Sequence, residues 1–272
     1  MEAVGHDIEP SSAAGDRLQA LADVLRHAES QQRPVAPLAE THPDLTVDDA
    51  YRIQLNNTRR RLAEGGIVRG RKVGLTSGAM QKMMGVDEPD FGVLFDDMFV
   101  EDGDAVVAAE LIQPRVEAEI AFVMARDLRG PGVTSTAAQS AVEFAFPSLE
   151  IIDSRIADWK IGLVDTIADN ASSARVVVAG RGVPVAGLDL RLIGMVLSVN
   201  GQLVETGAGA AVLGNPLRCV AWLANKLATV GEDLRAGDVV LAGALHRAIP
   251  VKAGDSVIAE FDRLGAVHTR FS

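Results

Sequence analysis

Arg115-Val-Glu-Ala-Glu-Ile-Ala-Phe-Val123 is the stretch that says most about the fold, because apolar and acidic residues alternate along it. Successive side chains of a β-strand point to opposite faces. One face of this predicted strand is therefore apolar, and the other carries Glu117 and Glu119, with about 7 Å between their Cα atoms. Two such carboxylates either face solvent or offer oxygen ligands to one hard cation, such as Mg²⁺ or Mn²⁺.

Five further short runs are rich in Val and Ile and are separated by Gly, Pro and Asp, which is typical of strands. They span residues 67–75, 176–179, 195–199, 239–241 and 257–261. Asn200–Gly201, between two apolar runs, predicts a hairpin turn. Because the runs do not alternate regularly with helices, the sequence predicts an α+β fold with a large mixed or antiparallel sheet.

Helical signals dominate the first part of the chain. Apolar residues recur at helical spacing from Asp16 to about His27, and Thr46 followed by two aspartates is typical of a helix start. We therefore divide the chain into three regions, which are a disordered arm (1–15), an N-terminal helical region (16–66) and a mixed-β domain (67–272).

Composition removes several classes of function. The 272 residues are 48% hydrophobic and carry a formal net charge of −11, so nucleic acid and anionic membrane surfaces are poor partners. The longest apolar runs fall well short of the roughly 18 residues that a membrane span needs. The first residues lack the pattern of a secretory signal, and Cys219 has no second cysteine to pair with. We expect a cytoplasmic protein.

Two charged residues interrupt apolar stretches. Glu150 lies within Phe146-Pro-Ser-Leu-Glu-Ile-Ile152, where a buried carboxylate needs a cation, an arginine or a proton. Arg155 is one partner for it, and a metal shared with the two other glutamates is the alternative. Lys72 interrupts a predicted strand between two glycines. It either faces solvent or binds and protonates a substrate.

Several motifs, in order along the chain, resemble the 2-hydroxypenta-2,4-dienoate hydratase family of the fumarylacetoacetate hydrolase superfamily. The likeness runs from about Leu18 to Ser272. The motifs that carry it include Gly70-Arg-Lys-Val-Gly-Leu-Thr-Ser77, Pro114-Arg-Val-Glu-Ala-Glu-Ile-Ala-Phe122, Pro147-Ser-Leu-Glu-Ile-Ile-Asp-Ser-Arg155 and Asp169-Asn-Ala-Ser-Ser173.

This resemblance implies a mixed β-sandwich roll with a helical N-terminal part and a site for one divalent cation, Mg²⁺ or Mn²⁺. Matched motif by motif, the cation's ligands are Glu117, Glu119 and Glu150. Lys72 and Asp90 match the family's active-site lysine and aspartate. Further candidates, for substrate contacts or for structural roles, are Ser77, Lys160 and Ser172.

The implied activity is metal-dependent addition of water to 2-hydroxypenta-2,4-dienoate, or a close relative, which gives 4-hydroxy-2-oxopentanoate. Such chemistry belongs to meta-cleavage degradation of aromatic or sterol-derived compounds. The stretch Glu88-Pro-Asp-Phe-Gly92 resembles the hydratases more than the 4-oxalocrotonate decarboxylases, which are the nearest alternative. Hydrolysis of an acylpyruvate is a more distant one.

The resemblance also bears on partners. It implies a small anionic 2-hydroxydienoate or 2-oxoacid substrate and a homo-oligomer. A complex with a 4-oxalocrotonate decarboxylase is a further expectation. The alternative from a different class of function is a non-catalytic assembly partner of such a decarboxylase.

Overall fold

Two β-sheets and a set of N-terminal helices make up the fold in the computed structural model, which describes residues 12–78, 81–82 and 85–272. The helices are α1 (Ser12–Ser30), α2 (Leu38–Thr41), α3 (Val47–Ala63), α4 (Ser135–Ala141), α5 (Leu163–Ala168) and α6 (Pro216–Ala228). The strands are β1 (Val68–Gly74), β2 (Asp90–Phe95), β3 (Phe99–Glu101), β4 (Ala105–Val106), β5 (Arg115–Met124), β6 (Val142–Ile152), β7 (Ser173–Val178), β8 (Val183–Pro184), β9 (Gly194–Val199), β10 (Gln202–Ala208), β11 (Val239–Ala244), β12 (Ile249–Pro250), β13 (Ser256–Phe261) and β14 (Gly265–Phe271).

The larger sheet has the strand order β2-β1-β11-β5-β6-β7-β3, with β12 beside β5 and β8 beside β6. Its β1–β11 and β3–β7 pairs are parallel, whereas β5 and β6 are antiparallel to each other. The smaller sheet has the order β10-β9-β13-β14-β4. This combination of mixed sheets and helices confirms the predicted α+β roll.

The main core lies between the two sheets. The apolar face predicted for β5 is buried there, with Ile120 and Phe122 fully inaccessible. Residues of the smaller sheet, such as Leu197 and Val257, belong to the same hydrophobic cluster. Because one face of β5 is committed to this core, its two glutamates point away from the core.

The N-terminal helices and α5 form a second cluster around Leu25, Ile53 and Ile167. Thr46 caps α3, because its hydroxyl accepts the N–H of Asp49 while the Asp49 carboxylate accepts the N–H of Thr46. Helix α1 begins at Ser12, so residues 12–15 belong to this helix and not to the predicted arm. The remainder of that prediction falls outside the described residues.

All six strands predicted from the sequence are found, with shifted ends. Strand β11 extends to Ala244, three residues beyond its predicted end. Ala242 and Gly243 give no strand signal, and they lie at a register shift in the pairing of β11 with β5. The turn Asn200–Gly201 joins β9 to β10, and both residues adopt positive φ as such a hairpin requires. Within the part of the chain that the structure describes, no helix is long and apolar enough to cross a membrane.

Gln54 of α3 ties the helices to the larger sheet. Its buried amide donates to the carbonyl oxygen of Phe91 on β2 at 2.9 Å and to that of Ile167 on α5 at 3.0 Å. This side chain therefore fixes α3 against β2 and α5, two elements that supply residues to the site described below.

Substituting Gln54→Leu should lower the free energy of unfolding by roughly 2–4 kcal/mol, because two buried carbonyl groups each lose the hydrogen bond from this amide. Urea unfolding followed by tryptophan fluorescence measures this change. The control is Gln202→Leu on exposed β10, which should move stability by less than about 0.5 kcal/mol. Equal stability of both variants would show that the two hydrogen bonds of the Gln54 amide make no net contribution to stability.

Candidate active site

Three glutamates converge because of the register between β5 and β6. Glu117 and Glu119 lie two residues apart on one face of β5, and Glu150 of β6 stands directly opposite Glu117. One oxygen from each carboxylate lies within 4.8 Å of the others. Glu119 and Glu150 are buried, while Glu117 is partly exposed. We call these three residues the acidic triad.

The acidic triad has the electrostatics of a cation site. Burial raises the pKa of Glu117 to about 7 and raises the pKa values of Glu119 and Glu150 above their ordinary range. Repulsion among the carboxylates adds to the effect at Glu117 and Glu119. The ammonium of Lys72 lies 3.3 Å from Oε2 of Glu150, but neither oxygen of Glu150 has a well-aligned hydrogen-bond donor among the described residues. Oxygen donors in this number and spacing suit a hard divalent cation, which would compensate their charge.

Glu119 is oriented by the backbone of β11. Its Oε2 accepts the N–H of Gly243 at 2.7 Å. Gly243 has φ of +110°, and a Cβ at this position would lie 2.3 Å from the Thr76 hydroxyl oxygen, so only glycine fits. Gly243 was not predicted as a site residue, because its only sequence signal is its place just after a short apolar run.

Lys72 lies beside the triad on β1. Its Nζ is 3.3 Å from Oε2 of Glu150 and donates to the carbonyl oxygen of Ala171 at 2.9 Å. Burial alone would lower the pKa of Lys72, but nearby carboxylates, Glu150 above all, hold this pKa above its usual range. Lys72 is therefore a buried ammonium group, which excludes the alternative of a solvent-facing strand lysine.

Asp90 begins β2 and pairs with Gly74 at the end of β1. Burial raises the pKa of Asp90, although the charge of Lys72 and the hydroxyl of Thr166 act in the opposite direction. That hydroxyl donates to Oδ2 of Asp90 at 3.1 Å. A Cβ at Gly74 would lie 2.2 Å from Oδ1 of Asp90, so this glycine provides the close approach expected beside Lys72.

The other sequence candidates occupy different surroundings. The side chain of Lys160 is 66% exposed and pairs with Asp158 at 3.3 Å. Ser172 is buried, and its hydroxyl donates to Asp169 at 3.1 Å. The backbone carbonyl of Ser77 accepts the N–H of Gln81 at 3.0 Å, and the Ser77 side chain is partly buried.

Arg155 does not pair with Glu150, so this one of the two predicted partners for the carboxylate is wrong. The Arg155 guanidinium instead pairs with Asp169 in a buried cluster. The charge that faces Glu150 comes from Lys72, on a strand distant in the sequence. Thr166 and Ala171 also contact site residues, but a threonine hydroxyl and a backbone carbonyl carry no sequence signal of such a role.

Fold and site together define a member of the fumarylacetoacetate hydrolase family, and the chain belongs to it. The family model "Fumarylacetoacetate (FAA) hydrolase C-terminal" matches residues 69–272. The chain is 50% identical over 250 residues to a 2-keto-4-pentenoate hydratase of Paraburkholderia xenovorans, which covers 92% of this chain and 93% of that protein. This agrees with the resemblance drawn from the motifs.

Decarboxylases are similar to the chain as well. A 4-oxalocrotonate decarboxylase of Pseudomonas sp. is 43% identical over 256 residues, with 94% of this chain and 97% of that protein covered. The solved structure of the 4-oxalocrotonate decarboxylase from Pseudomonas putida G7, complexed with magnesium and adipate, superposes with a TM-score of 0.92. Its identity is 40%, with 94% of this chain and 98% of that one covered.

Metal binding should depend on pH through the acidic triad. In the metal-free protein a carboxyl with a raised pKa holds its proton more tightly when folded than when unfolded. Its contribution to stability therefore falls as pH rises from about 4.5 to about 7. A bound cation requires the deprotonated form, so stabilisation by Mn²⁺ should grow over the same range.

Tm measured with Mn²⁺ and with a chelator, from below to above pH 7, tests this expectation. The difference in Tm between the two conditions should widen with rising pH in the wild type. It should also widen in Glu143→Gln, an exposed control on β6. In Glu117→Gln the difference in Tm should be small at every pH. A difference in the wild type that does not change with pH would contradict the assignment of the acidic triad as a cation site.

Proposed function

We propose that this chain is a hydro-lyase that adds water to 2-hydroxypenta-2,4-dienoate, or a close 2-hydroxydienoate, to give 4-hydroxy-2-oxopentanoate. The observation that carries the proposal is the Lys72 ammonium held 3.3 Å from Glu150 within the acidic triad. The 50% identity to a 2-keto-4-pentenoate hydratase supports this substrate class.

The acidic triad is the proposed binding site for one divalent cation, Mg²⁺ or Mn²⁺. Such a cation, when bound, supplies Lewis-acid stabilisation of negative charge on the carboxylate and C2 oxygens of a 2-oxo acid. The site is otherwise strongly acidic, so the anionic substrate also needs the positive charge of Lys72.

Lys72 and Asp90 are the proposed pair that moves protons. The dienol gains a proton at C5 and loses the proton of its C2 hydroxyl, which gives a 2-oxo-3-enoate. The oxygen of water then bonds to C4, the water loses one proton, and C3 gains one proton. Lys72 is protonated, and it becomes a stronger acid once the carboxylates that raise its pKa are neutralised. The raised pKa of Asp90 suits a carboxyl that both donates and accepts a proton. Helices α3 and α5 exclude bulk water from Asp90, because Gln54 of α3 and Thr166 of α5 pack over the start of β2.

Decarboxylation of 4-oxalocrotonate is the second candidate. It would use the same triad and lysine, because loss of CO₂ also leaves negative charge on a dienolate. The 43% identity to a 4-oxalocrotonate decarboxylase favours testing it. The acidic triad with its buried lysine favours a catalytic chain over a non-catalytic assembly partner.

The proposal extends to assembly and location. A homo-oligomer, a complex with a 4-oxalocrotonate decarboxylase and a cytoplasmic location all follow from the family resemblance. Within the described residues, Leu192 and Leu203 are 66% and 64% exposed, which leaves apolar surface for contacts between copies. Light scattering of the purified protein, alone and mixed with the decarboxylase, tests the assembly.

An ultraviolet assay with freshly generated 2-hydroxypenta-2,4-dienoate tests the function. We expect the dienoate band to disappear only with Mg²⁺ or Mn²⁺, with 4-hydroxy-2-oxopentanoate formed and no CO₂ released. Lys72→Gln should lower kcat at least about 100-fold, the scale of general acid–base catalysis. Glu150→Gln should abolish binding of Mn²⁺. Their controls are Lys252→Gln and Glu143→Gln, both at exposed positions.

Two other results would redirect the conclusion. Release of CO₂ from 4-oxalocrotonate, without hydration of the dienoate, would assign the chain to the decarboxylases. Inactivity on both substrates, together with no binding of Mn²⁺, would rule out the proposed enzyme.

A further inference from the structure

Residues 170–172 form a strained turn beside Lys72. Asn170, Ala171 and Ser172 are consecutive non-glycine residues with φ of 56°, 50° and 55°. The left-handed region is unfavourable for residues with a Cβ, and asparagine tolerates it better than alanine or serine. Three such residues in a row persist only where surrounding contacts impose the conformation.

The side chain of Asn170 ties this turn to the edge of the larger sheet. Its Oδ1 accepts the N–H of Val93 at 2.7 Å, and its Nδ2 donates to the carbonyl oxygen of Val93 at 2.9 Å. Strand β2 is the outermost strand on that side of the sheet. The side-chain amide therefore takes the place that a neighbouring strand would occupy, and it anchors the turn to β2.

The anchored turn directs a backbone carbonyl at Lys72. The carbonyl oxygen of Ala171 accepts a hydrogen bond from Nζ of Lys72 at 2.9 Å. Gly92 lies opposite Lys72 in the β1–β2 register. A Cβ at Gly92 would be 2.5 Å from the carbonyl oxygen of Asn170 and 3.2 Å from Cγ of Lys72. Because Gly92 has no side chain, the turn can approach Lys72 closely enough for the hydrogen bond to form.

We propose that Asn170 is a positioning residue for the reaction, acting through Lys72. Its double hydrogen bond to Val93 holds the turn in the left-handed conformation, so that the carbonyl of Ala171 fixes the lysine ammonium beside Glu150. Without this anchor, the carbonyl of Ala171 moves away from Lys72. The ammonium then keeps Glu150 as its close partner but is no longer held in one orientation. The inference rests on the proposed role of Lys72 in proton transfer.

The alternative is that Asn170 only caps the edge of β2 and contributes stability. Asn200 provides a matched control for that role. It also has a positive φ, of 52°, its Nδ2 donates to Asp255 at 2.9 Å and its Oδ1 accepts the N–H of Ser256 at 2.9 Å. Asn170→Gly and Asn200→Gly therefore each remove two hydrogen bonds while leaving the left-handed backbone favourable.

The first measurement is steady-state kinetics of both variants, with Tm and Mn²⁺ affinity determined in parallel. We expect Asn170→Gly to lower kcat about 10- to 100-fold, a loss of orientation, with KM and Mn²⁺ affinity changed less than about threefold. Asn170→Asp retains the acceptor for Val93 and should restore part of the loss. Asn200→Gly should lower Tm to a similar extent while kcat stays within about twofold.

The second measurement combines Asn170→Gly with Lys72→Gln. If Asn170 acts through Lys72, its substitution should cost nothing further once the lysine is gone. Equal losses of kcat in both backgrounds, or a normal kcat in folded Asn170→Gly, would overturn the inference while leaving the proposed function intact.

A third measurement does not depend on activity. A small amine-reactive reagent should label Lys72 faster in Asn170→Gly than in the wild type. Peptide mass spectrometry measures this rate as a ratio to the labelling rate of Lys226, the internal reference. An unchanged ratio would also overturn the inference. If the wild type neither hydrates the dienoate nor decarboxylates 4-oxalocrotonate, the proposed function fails, and this ratio still shows whether Asn170 fixes the lysine.

Discussion

The antiparallel register of β5 and β6 is the constraint on which the site depends. It places Glu150 directly opposite Glu117, and the two-residue period of β5 adds Glu119 on the same face. A slip of one residue would turn these carboxylates into the core and expose Ile120 and Phe122. The burial of the apolar face therefore fixes the register, and the register fixes the triad.

Buried negative charge then determines what must surround the triad. Carboxylates removed from water need compensation, and within the described residues it comes from the ammonium of Lys72 and the N–H of Gly243. These two groups compensate only part of the charge, as the raised pKa values of the glutamates show. The arrangement is consequently poised for a cation, and the stability lost to repulsion favours binding.

Local patterns predicted the parts of the structure that depend on local rules. Alternation gave the two faces of β5, and the Asn200–Gly201 pair gave the β9–β10 hairpin. The cost of burying Glu150 predicted a partner, and the sequence offered Arg155 or a shared metal, but it gave no sign that Lys72 lies beside this carboxylate. The choice is made by long-range pairing of β1 with β11, which no local signal encodes. Gly243 and the carbonyl of Ala171 act through backbone atoms and were equally inaccessible to motif analysis.

The place of β11 in the sheet has a consequence for when the site comes into being. Strand β1, which carries Lys72, is held between β2 and β11, and β11 begins only at Val239. A growing polypeptide therefore contains the three glutamates long before it contains the strand that joins them to the lysine. The acidic triad and the lysine therefore come to lie side by side only once β11 has been made and has paired with β1 and β5.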